Sequence, residues 1–483
     1  MTNRQSVLKQ LAEFISIQSV SADPGRFSEI QKTVEFLKKQ LTGLGFKVKV
    51  FSKGNNPPLV IAHFTPKNNH LDHDRDRNGK SSTLDNNHFN NDRILNGKVK
   101  TIGIYGHYDV QPEDPVDQWQ TPPFKLVIKN GKISGRGVAD NKGHIIQNIT
   151  SISRLARRSL DVGGLIENKR LKNNIVFILE GEEEIGSAHF EEYAEKAKDI
   201  LNGVDVFYLT DTGMANKTTP QIFYGLRGIL YFELTIKIGE HDVHSGSYGN
   251  RILNPAQILA DLMIKIKSAD SNKIKIPHFY DDCRKILEEE RDLLKAAVRN
   301  VNNLAKNAAV YRIVDFDNVH PSLASKIYPS FDINGFFSGY QGPGSKTIIP
   351  ASATVKFSFR LVEYQDPDKI EKLVKKFIIE NMPDGVKHQL KTFSKAAPFY
   401  SDFNNKHIKN TAKILQEFFG NKPLFNRSGA TIPVAEILQR IFKKPIVLTG
   451  FTLPNSNIHA PNENFDEELF FKGIEALEKI YGF

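Results

Sequence analysis

Apolar residues recur along the first half of the chain at two spacings, one typical of helices and one typical of strands. Residues 7–15 and 30–41 each place their apolar side chains on one helical face, which predicts two amphipathic helices, and a third predicted helix follows residue 141. Short apolar segments bounded by turn residues predict strands at 46–50, 59–64, 101–110, 174–179 and 204–209. This alternation of strands and helices predicts an α/β fold.

The order of elements changes near residue 225, where an alternating strand has the pattern of a sheet with one exposed face. The predicted elements are a strand at 229–238, a helix at 254–268, a charged helical stretch at 281–306, strands at 331–336 and 353–361, a helix at 367–381 and a strand at 386–393. This β-α-β-β-α-β order predicts an α+β domain of ferredoxin-like type. Because the α/β pattern returns at about residue 401, we expect one domain from 1–224 and 397–483 and an inserted domain from 225–396.

Residues 66–98 differ from both parts because they contain almost no apolar side chains and many Asn and Asp residues. His70, Asp72, His73 and Asp74 are residue types that bind metals, but a disordered surface segment explains this composition better. A segment of this kind buries too little surface to order itself. We therefore predict a polar, disordered insertion between two strands.

Composition excludes several classes of protein. The contents of 40% hydrophobic and 25% charged residues are those of a globular protein, and no window reaches the ~18 apolar residues of a membrane span. The net charge of +10 permits nucleic-acid binding, but the lysines are spread over helix faces, so no such partner is expected. Gln, Lys and Glu replace the apolar region of a signal peptide near the N-terminus, which predicts a cytoplasmic location.

The single cysteine, Cys283, cannot form an intrachain disulfide or a thiolate metal cluster. Any metal site of this chain must therefore use His, Asp and Glu. Such residues follow predicted strands or stand in loops near them: His107, Asp109, Asp140, Glu183, Glu184, Asp211 and His459. In α/β folds the carboxyl ends of the strands are where sites form.

Two histidines with several carboxylates and no cysteine are the ligand set of a two-metal hydrolytic site. Two ions about 3.5–4 Å apart need one bridging carboxylate and terminal ligands for each ion. Oxygen and imidazole ligands suit zinc, manganese or cobalt, and we expect zinc. The adjacent Glu183 and Glu184 allow one carboxylate to bind metal while the other accepts a proton from a bridging water.

The sequence resembles the M20 family of metallopeptidases, and within it the carnosinase-like dipeptidase branch. The segments that carry the resemblance occur in the family's order over nearly the whole chain: GHYDVQP, GRGVADNKG, LEGEEEIGS, LTDTG, YGLRG, DVHSG, FRLV and the late His459. The resemblance implies a metallopeptidase catalytic domain with a mixed sheet and flanking helices, and an inserted ferredoxin-like domain that acts as lid and dimerisation domain.

The resemblance also implies a role for each site residue of the first domain. Asp140 would bridge two metal ions, with His107 and Asp211 on one ion and Glu184 and His459 on the other. Glu183 would be the general base, and Asp109 would orient His107. The peptide bond between Asp140 and Asn141 is expected to be cis, as in the family.

In the inserted domain, the resemblance makes His244 a residue that reaches across a homodimer to the scissile carbonyl of the partner's substrate. Arg360 would hold the substrate carboxylate bidentately. The segment NRSGATIP resembles a second substrate loop, in which Arg427 and Thr431 would contact the substrate.

We therefore expect a two-metal enzyme that hydrolyses the amide bond of dipeptides or short peptides. An N-acyl-amino-acid deacylase needs the same centre and differs in the shape of its pocket. A catalytically silent relative that binds peptides is a third hypothesis, although the full set of ligands argues against it.

Overall fold

A computed structural model describes residues 3–66, 99–157, 171–268, 273–298, 301–314, 316 and 319–482. The predicted insertion at 66–98 therefore lies, apart from Pro66, outside the described residues. The chain divides into two compact units. The first unit consists of Met1–Pro220, Lys406–Lys422 and Ile441–Phe483, and the second unit consists of Gln221–Asn405 and Pro423–Arg440. The predicted domain limits at 225 and 396 stay a prediction.

The helices of the described chain are α1 (Asn3–Ser16), α2 (Phe27–Gly43), α3 (Lys142–Arg157), α4 (Phe190–Lys196), α5 (Lys198–Leu201), α6 (Ser245–Tyr248), α7 (Pro255–Ile266), α8 (Glu288–Ala296), α9 (Val301–Asn307), α10 (Pro321–Ile327), α11 (Pro367–Glu380), α12 (Lys406–Phe419), α13 (Pro433–Phe442) and α14 (Glu467–Tyr481). The strands are β1 (Lys47–Phe51), β2 (Leu59–Phe64), β3 (Thr101–His107), β4 (Val127–Lys129), β5 (Lys132–Ser134), β6 (Asn174–Glu180), β7 (Val206–Thr210), β8 (Gln221–Leu226), β9 (Gly228–Lys237), β10 (Val243–His244), β11 (Ser330–Ser338), β12 (Ile348–Ile349), β13 (Ser352–Leu361), β14 (Lys387–Ala396), β15 (Phe399–Tyr400), β16 (Leu424–Ser428), β17 (Ile446–Thr449) and β18 (Asn464–Asp466).

The first unit contains a mixed sheet with the strand order β1-β2-β6-β3-β7-β17. β1, β2 and β6 pair antiparallel, whereas β6, β3, β7 and β17 run parallel to one another. The parallel strands are almost wholly buried, as their continuous apolar sequences require, and α3 packs against α1 and α14. A mixed sheet with flanking helices confirms the predicted fold class.

The second unit contains a four-stranded antiparallel sheet with the order β11-β13-β9-β14. Alternate residues of β9 point into a core that α7 and α11 also line, and Phe232 stacks on Phe357 of β13 with ring centroids 5.3 Å apart. Strand order and helix placement together are those of the ferredoxin-like arrangement, so this prediction is confirmed.

The sequence analysis did not predict several strands of six residues or fewer. These are the strands β8, β15 and β16 of the second unit and the small sheet β18-β5-β4 of the first. The charged stretch at 281–306 forms two short helices, α8 and α9, instead of one long helix. Within the described part of the chain, no helix combines the length and apolarity that crossing a bilayer requires.

Candidate metal centre

Three neighbouring parallel strands deliver three of the five predicted ligands, His107, Glu184 and Asp211, to one edge of the first unit's sheet. His107 is the last residue of β3, and it is paired with Glu180, the last residue of β6. A short turn at Glu183–Ile185 follows β6, and Asp211 follows β7 on the other side of β3. Because parallel strands end at the same edge, groups that are distant in sequence converge there.

Asp140 stands between the two histidines of the site. Its Oδ1 lies 2.9 Å from Nε2 of His107, and its Oδ2 lies 2.9 Å from Nε2 of His459. The peptide bond between Asp140 and Asn141 is cis, which confirms that prediction. Each oxygen of one carboxylate therefore faces a different imidazole.

A second carboxylate accompanies each imidazole. Oδ1 of Asp211 lies 3.6 Å from Nε2 of His107, and Oε2 of Glu184 lies 3.1 Å from Nε2 of His459. The described ligand atoms of His107, Asp140 and Glu184 all lie within 4.8 Å of one another. The five residues thus fall into two groups, one on each oxygen of Asp140.

Asp109 holds the far side of the His107 ring. Its main-chain oxygen lies 3.1 Å from Nδ1 of His107, and its Oδ1 lies 3.3 Å from the same nitrogen. Its Oδ2 accepts hydrogen bonds from the Ser21 hydroxyl at 2.7 Å and from the Glu184 main-chain N–H at 3.1 Å. This buried carboxylate therefore leaves Nε2 of His107 as the nitrogen that faces the site.

The charges of the site are strongly coupled. Burial opposes protonation of His107, but the nearby carboxylates outweigh it and hold the pKa of that imidazole well above its usual range. Hydrogen bonds to Asp140 and Glu184 raise the pKa of His459 to about 10. Burial opposes ionisation of Asp140, yet the two imidazoles hold the pKa of its carboxyl well below the ordinary value. In the protein alone, the imidazolium ions act as counter-charges for Asp140.

The pKa values of Glu183 and Glu184 shift in the opposite direction to that of Asp140. Burial raises the pKa of Glu183 well above its usual range, and the neighbouring Asp211 adds to this effect while His107 opposes it. Burial also raises the pKa of Glu184. Burial thus disfavours ionisation of both glutamates in the protein alone. Divalent cations fit this donor set, because they would replace protons on imidazole and carboxylate ligands that zinc, manganese and cobalt accept.

His244, which the sequence predicted as a partner-reaching residue, lies in the second unit at the end of β10. It is exposed, and its Nδ1 accepts a hydrogen bond from the Ser247 main-chain N–H at 3.2 Å. Among the described contacts, Nε2 of His244 has no hydrogen-bond partner.

Arg360 and Thr431 come together in the second unit. Nη1 of Arg360 donates to the Thr431 hydroxyl at 2.8 Å, and that hydroxyl donates to the main-chain oxygen of Arg227 at 2.6 Å. Burial and the charge of Arg360 lower the pKa of Arg227 to about 10, and burial lowers that of Arg360. Among the described residues neither guanidinium forms an ion pair at salt-bridge distance. The two like charges therefore favour an anion beside them.

Arg427, which the sequence predicted to contact substrate, is buried in the second unit. Its side chain is only 1% exposed, and it forms ion pairs with Glu290 and, at 3.0 Å, with Glu363. Its guanidinium also lies over the ring of Tyr224, 5.5 Å from the centroid. The side chain thus pairs with two buried carboxylates, and the substrate contact that the resemblance implied for Arg427 stays a prediction.

This placement predicts a stability effect. Arg427→Met should lower the free energy of unfolding by about 3–5 kcal/mol, because it leaves buried Glu290 and Glu363 without their guanidinium partner. Urea unfolding followed by circular dichroism measures the change. Arg360→Met is the matched control and should cost far less, since it breaks no ion pair with a described carboxylate. Equal losses in the two variants would contradict the assignment.

Two buried or half-buried residues escaped the sequence analysis. Arg227 lies in the segment YGLRG, which resembles the family but carries no charge pattern that singles out its arginine. Glu463 follows His459 by four residues and is fully buried, with Arg136 as its ion-pair partner at 2.9 Å. Burial raises the pKa of Glu463 to about 7, while Arg136 opposes the rise. For Glu463, the only signal in the sequence was an acidic residue four positions after the predicted ligand His459.

Known proteins share both the sequence and the fold of this chain. The human Beta-Ala-His dipeptidase is 32% identical over 388 residues, which cover 79% of this chain and 74% of the relative. The Cys-Gly metallodipeptidase of Saccharomyces cerevisiae is 30% identical over 97% of this chain and 93% of its own length.

A solved structure supports the same relationship. The crystal structure of an M20 family metallo-carboxypeptidase from Sulfolobus solfataricus matches with a TM-score of 0.83 and 30% identity, covering 100% of this chain and 99% of that one. The model of Peptidase family M20/M25/M40 matches residues 103–481, a range that includes every predicted metal ligand. With the strand-end ligands, the mixed sheet and the ferredoxin-like unit, these matches establish that the chain belongs to peptidase family M20/M25/M40.

Proposed function

We propose that this metallopeptidase hydrolyses the amide bond of dipeptides or short peptides with two divalent metal ions, most suitably zinc. The observation that carries the proposal is the carboxylate of Asp140, which places each of its oxygens 2.9 Å from a different imidazole. Relatives named as a Beta-Ala-His dipeptidase and a Cys-Gly metallodipeptidase support dipeptides as the substrate class.

The proposed ligands follow the two groups of the site. His107 and Asp211 would hold one ion, Glu184 and His459 would hold the other, and Asp140 would bridge them. When bound, the ions would acidify a water molecule and polarise the carbonyl of the substrate. Asp109 would keep the His107 ring oriented through its contacts with Nδ1.

Two further residues would carry the proton and the developing charge. Glu183 lies close enough to His107, Asp140 and Glu184 to interact with their charges, and among the described contacts its side chain has no hydrogen bond. It would accept a proton from water and return it to the leaving amine. His244 would donate from Nε2 to the oxyanion in the partner's site. The position of Glu183 beside the proposed ligands supports the first role, and the exposed position of His244 supports the second.

Arg360, Thr431 and Arg227 support recognition of a free carboxylate. Two half-buried guanidinium groups that have no salt-bridged carboxylate among the described residues would bind an anion in a partly desolvated setting, where charge-assisted hydrogen bonds are strong. A dipeptide ends in such a carboxylate, and so does an N-acyl amino acid. The two guanidinium groups would thus bind the carboxylate end of either substrate. The amine end, free in a dipeptide and acylated in an N-acyl amino acid, distinguishes the two reactions.

A homodimer is part of the proposal, because His244 would serve the neighbouring chain. β11 is an edge strand of the second unit's sheet, and it exposes Ile333, Phe336 and Phe337, the last of them by 54%. An apolar edge strand of this kind is a surface that soluble proteins normally cover. A second copy of the chain is the proposed cover, and a cytoplasmic location stays a prediction.

The proposed function is tested by metal content and substrate choice together. Purified protein should bind about two zinc, manganese or cobalt ions per chain, measured by elemental analysis after dialysis. The loaded protein should hydrolyse Gly-Xaa dipeptides faster than N-acetyl-Xaa. Faster release from N-acetyl-Xaa would favour the deacylase, and two bound ions without hydrolysis of either substrate would favour the silent relative.

Arg360→Met is expected to reduce kcat/KM for a Gly-Xaa dipeptide by roughly 30-fold or more. The reason is that loss of one partner of a desolvated charged hydrogen bond costs about 2 kcal/mol or more. The reduction should appear mainly as a higher KM, measured by initial rates over a range of dipeptide concentrations. The matched control is the dipeptide amide, which lacks the carboxylate and should react equally well with both proteins. An equal loss on the amide would contradict this role of Arg360.

A further inference from the structure

The carboxylate of Glu463 is surrounded by donors from a single loop. Its Oε1 accepts the main-chain N–H groups of Ala139 at 2.8 Å and Asp140 at 3.0 Å. Its Oε2 accepts the main-chain N–H of Gly137 at 2.9 Å and Nη1 of Arg136 at 2.9 Å. All four donors belong to residues 136–140, the loop that carries the proposed bridging ligand.

Glu463 itself belongs to the loop of another proposed ligand. His459 precedes it by four residues, and the main-chain oxygen of Glu463 accepts the N–H of Gly135 at 3.1 Å. β18 begins at the next residue and pairs with β5, just before the loop at 136–140. One side chain thus joins the loops of Asp140 and His459, which lie more than 300 residues apart in sequence.

An ordinary structural ion pair does not account for this arrangement. A pairing with Arg136 alone would use one oxygen, whereas three of the four donors are main-chain N–H groups around Asp140. Arg136 has further partners, since its Nη2 donates to the main-chain oxygen of Pro112 and its guanidinium lies over Trp119. Charge-assisted hydrogen bonds to a fully buried carboxylate are strong and directional, so they restrict where the main chain of Asp140 lies.

We propose that Glu463 is a positioning residue of the metal centre, which sets the place of Asp140 relative to His459 and thereby the affinity for both ions. The inference rests on the proposed two-metal site and extends it to a residue that is not a ligand. Partners of this outer kind typically change metal affinity or activity by about 10- to 100-fold when they are removed.

The test is a titration of the metal-free, full-length protein with Co²⁺, followed by its visible absorption. Glu463→Gln keeps the size of the side chain but places an amide NH₂ against donors. It should raise the dissociation constant for Co²⁺ by about 10- to 100-fold. Glu478→Gln is the matched control, because Glu478 is also a buried carboxylate of the first unit that accepts from an arginine, Arg154, at 2.9 Å. Its dissociation constant should stay within about twofold of the unchanged protein.

An unchanged affinity in Glu463→Gln would overturn the inference, and so would equal losses in Glu463→Gln and Glu478→Gln, which would mean general loosening of the fold. If Glu463→Gln does not fold, Glu463→Asp carries the test, since it keeps the charge and withdraws the carboxylate by one methylene. Weaker Co²⁺ binding in Glu463→Asp supports the inference, and unchanged binding overturns it. Binding of fewer than two ions by the unchanged protein would instead refute the proposed two-metal site.

Discussion

Glu183→Gln is expected to keep both metal ions and to lose about three or more orders of magnitude in kcat. The amide is nearly isosteric with the carboxylate but cannot accept a proton from water at neutral pH. Its effect on metal binding should be small because Glu183 is not among the proposed ligands. Elemental analysis and steady-state kinetics on the same preparation measure both quantities.

Glu184→Gln provides the comparison, because its carboxylate lies 3.1 Å from Nε2 of His459 in one of the two ligand groups. This variant should lose metal first, and part of its activity should return when excess metal is added. The neighbouring glutamates would then differ in kind: one acts on a proton and the other on an ion. If both variants bound metal equally and were equally impaired, the division of roles between Glu183 and Glu184 would be wrong.

The second large effect is expected from a mixed dimer of Glu183→Gln and His244→Ala. Each variant alone should be strongly impaired. His244→Ala should lose about 10²–10³-fold in kcat if His244 stabilises the oxyanion. If each site takes Glu183 from one chain and His244 from the other, the mixed dimer has one site with both defects and one site with neither. Activity should therefore reappear when the two inactive variants are combined.

The size of this rescue follows from counting. With random pairing half of the dimers are mixed, and each mixed C₂ dimer has one intact site of two. Roughly one site in four of the whole population should therefore be intact. Co-expression with two affinity tags allows the mixed dimer to be isolated and assayed with a dipeptide. If His244 acted within its own chain, every site would carry one defect. The mixed dimer would then be no more active than the sum of its parents, and the shared site would be excluded.

Three of the proposed metal ligands carry local signals in the sequence. Apolar strands that end at His107, shortly before the Glu183–Glu184 pair and directly before Asp211 are visible in the sequence, and parallel strands share an edge. The ferredoxin-like unit was predictable for a similar reason, since its strands alternate and its helices are periodic over ten or more residues. Short strands such as β15, with two residues, show no period and were missed.

The roles of individual charged side chains were decided by tertiary contacts. In sequence, Arg360 and Arg427 are both arginines in motif-like segments, and nothing local separates them. The fold places Arg427 against Glu290 and Glu363, which lie 137 and 64 residues away, and leaves Arg360 bonded to a hydroxyl. A desolvated guanidinium that pairs with two carboxylates is already neutralised, whereas one without such partners is available to an anion.

Glu463 shows the same difference between what the sequence determines and what tertiary contacts decide, here for the proposed metal centre. The sequence alone determined which residue types would meet at the edge of the sheet, since hydrophobic periodicity sets where strands end and side-chain chemistry sets what they bind. Only the tertiary structure decided that a carboxylate 323 residues from Asp140 accepts its main-chain N–H. The physical reason is that a hydrogen bond needs its two atoms within about 3 Å of each other. No local pattern records a contact between loops that only the folded sheet brings together.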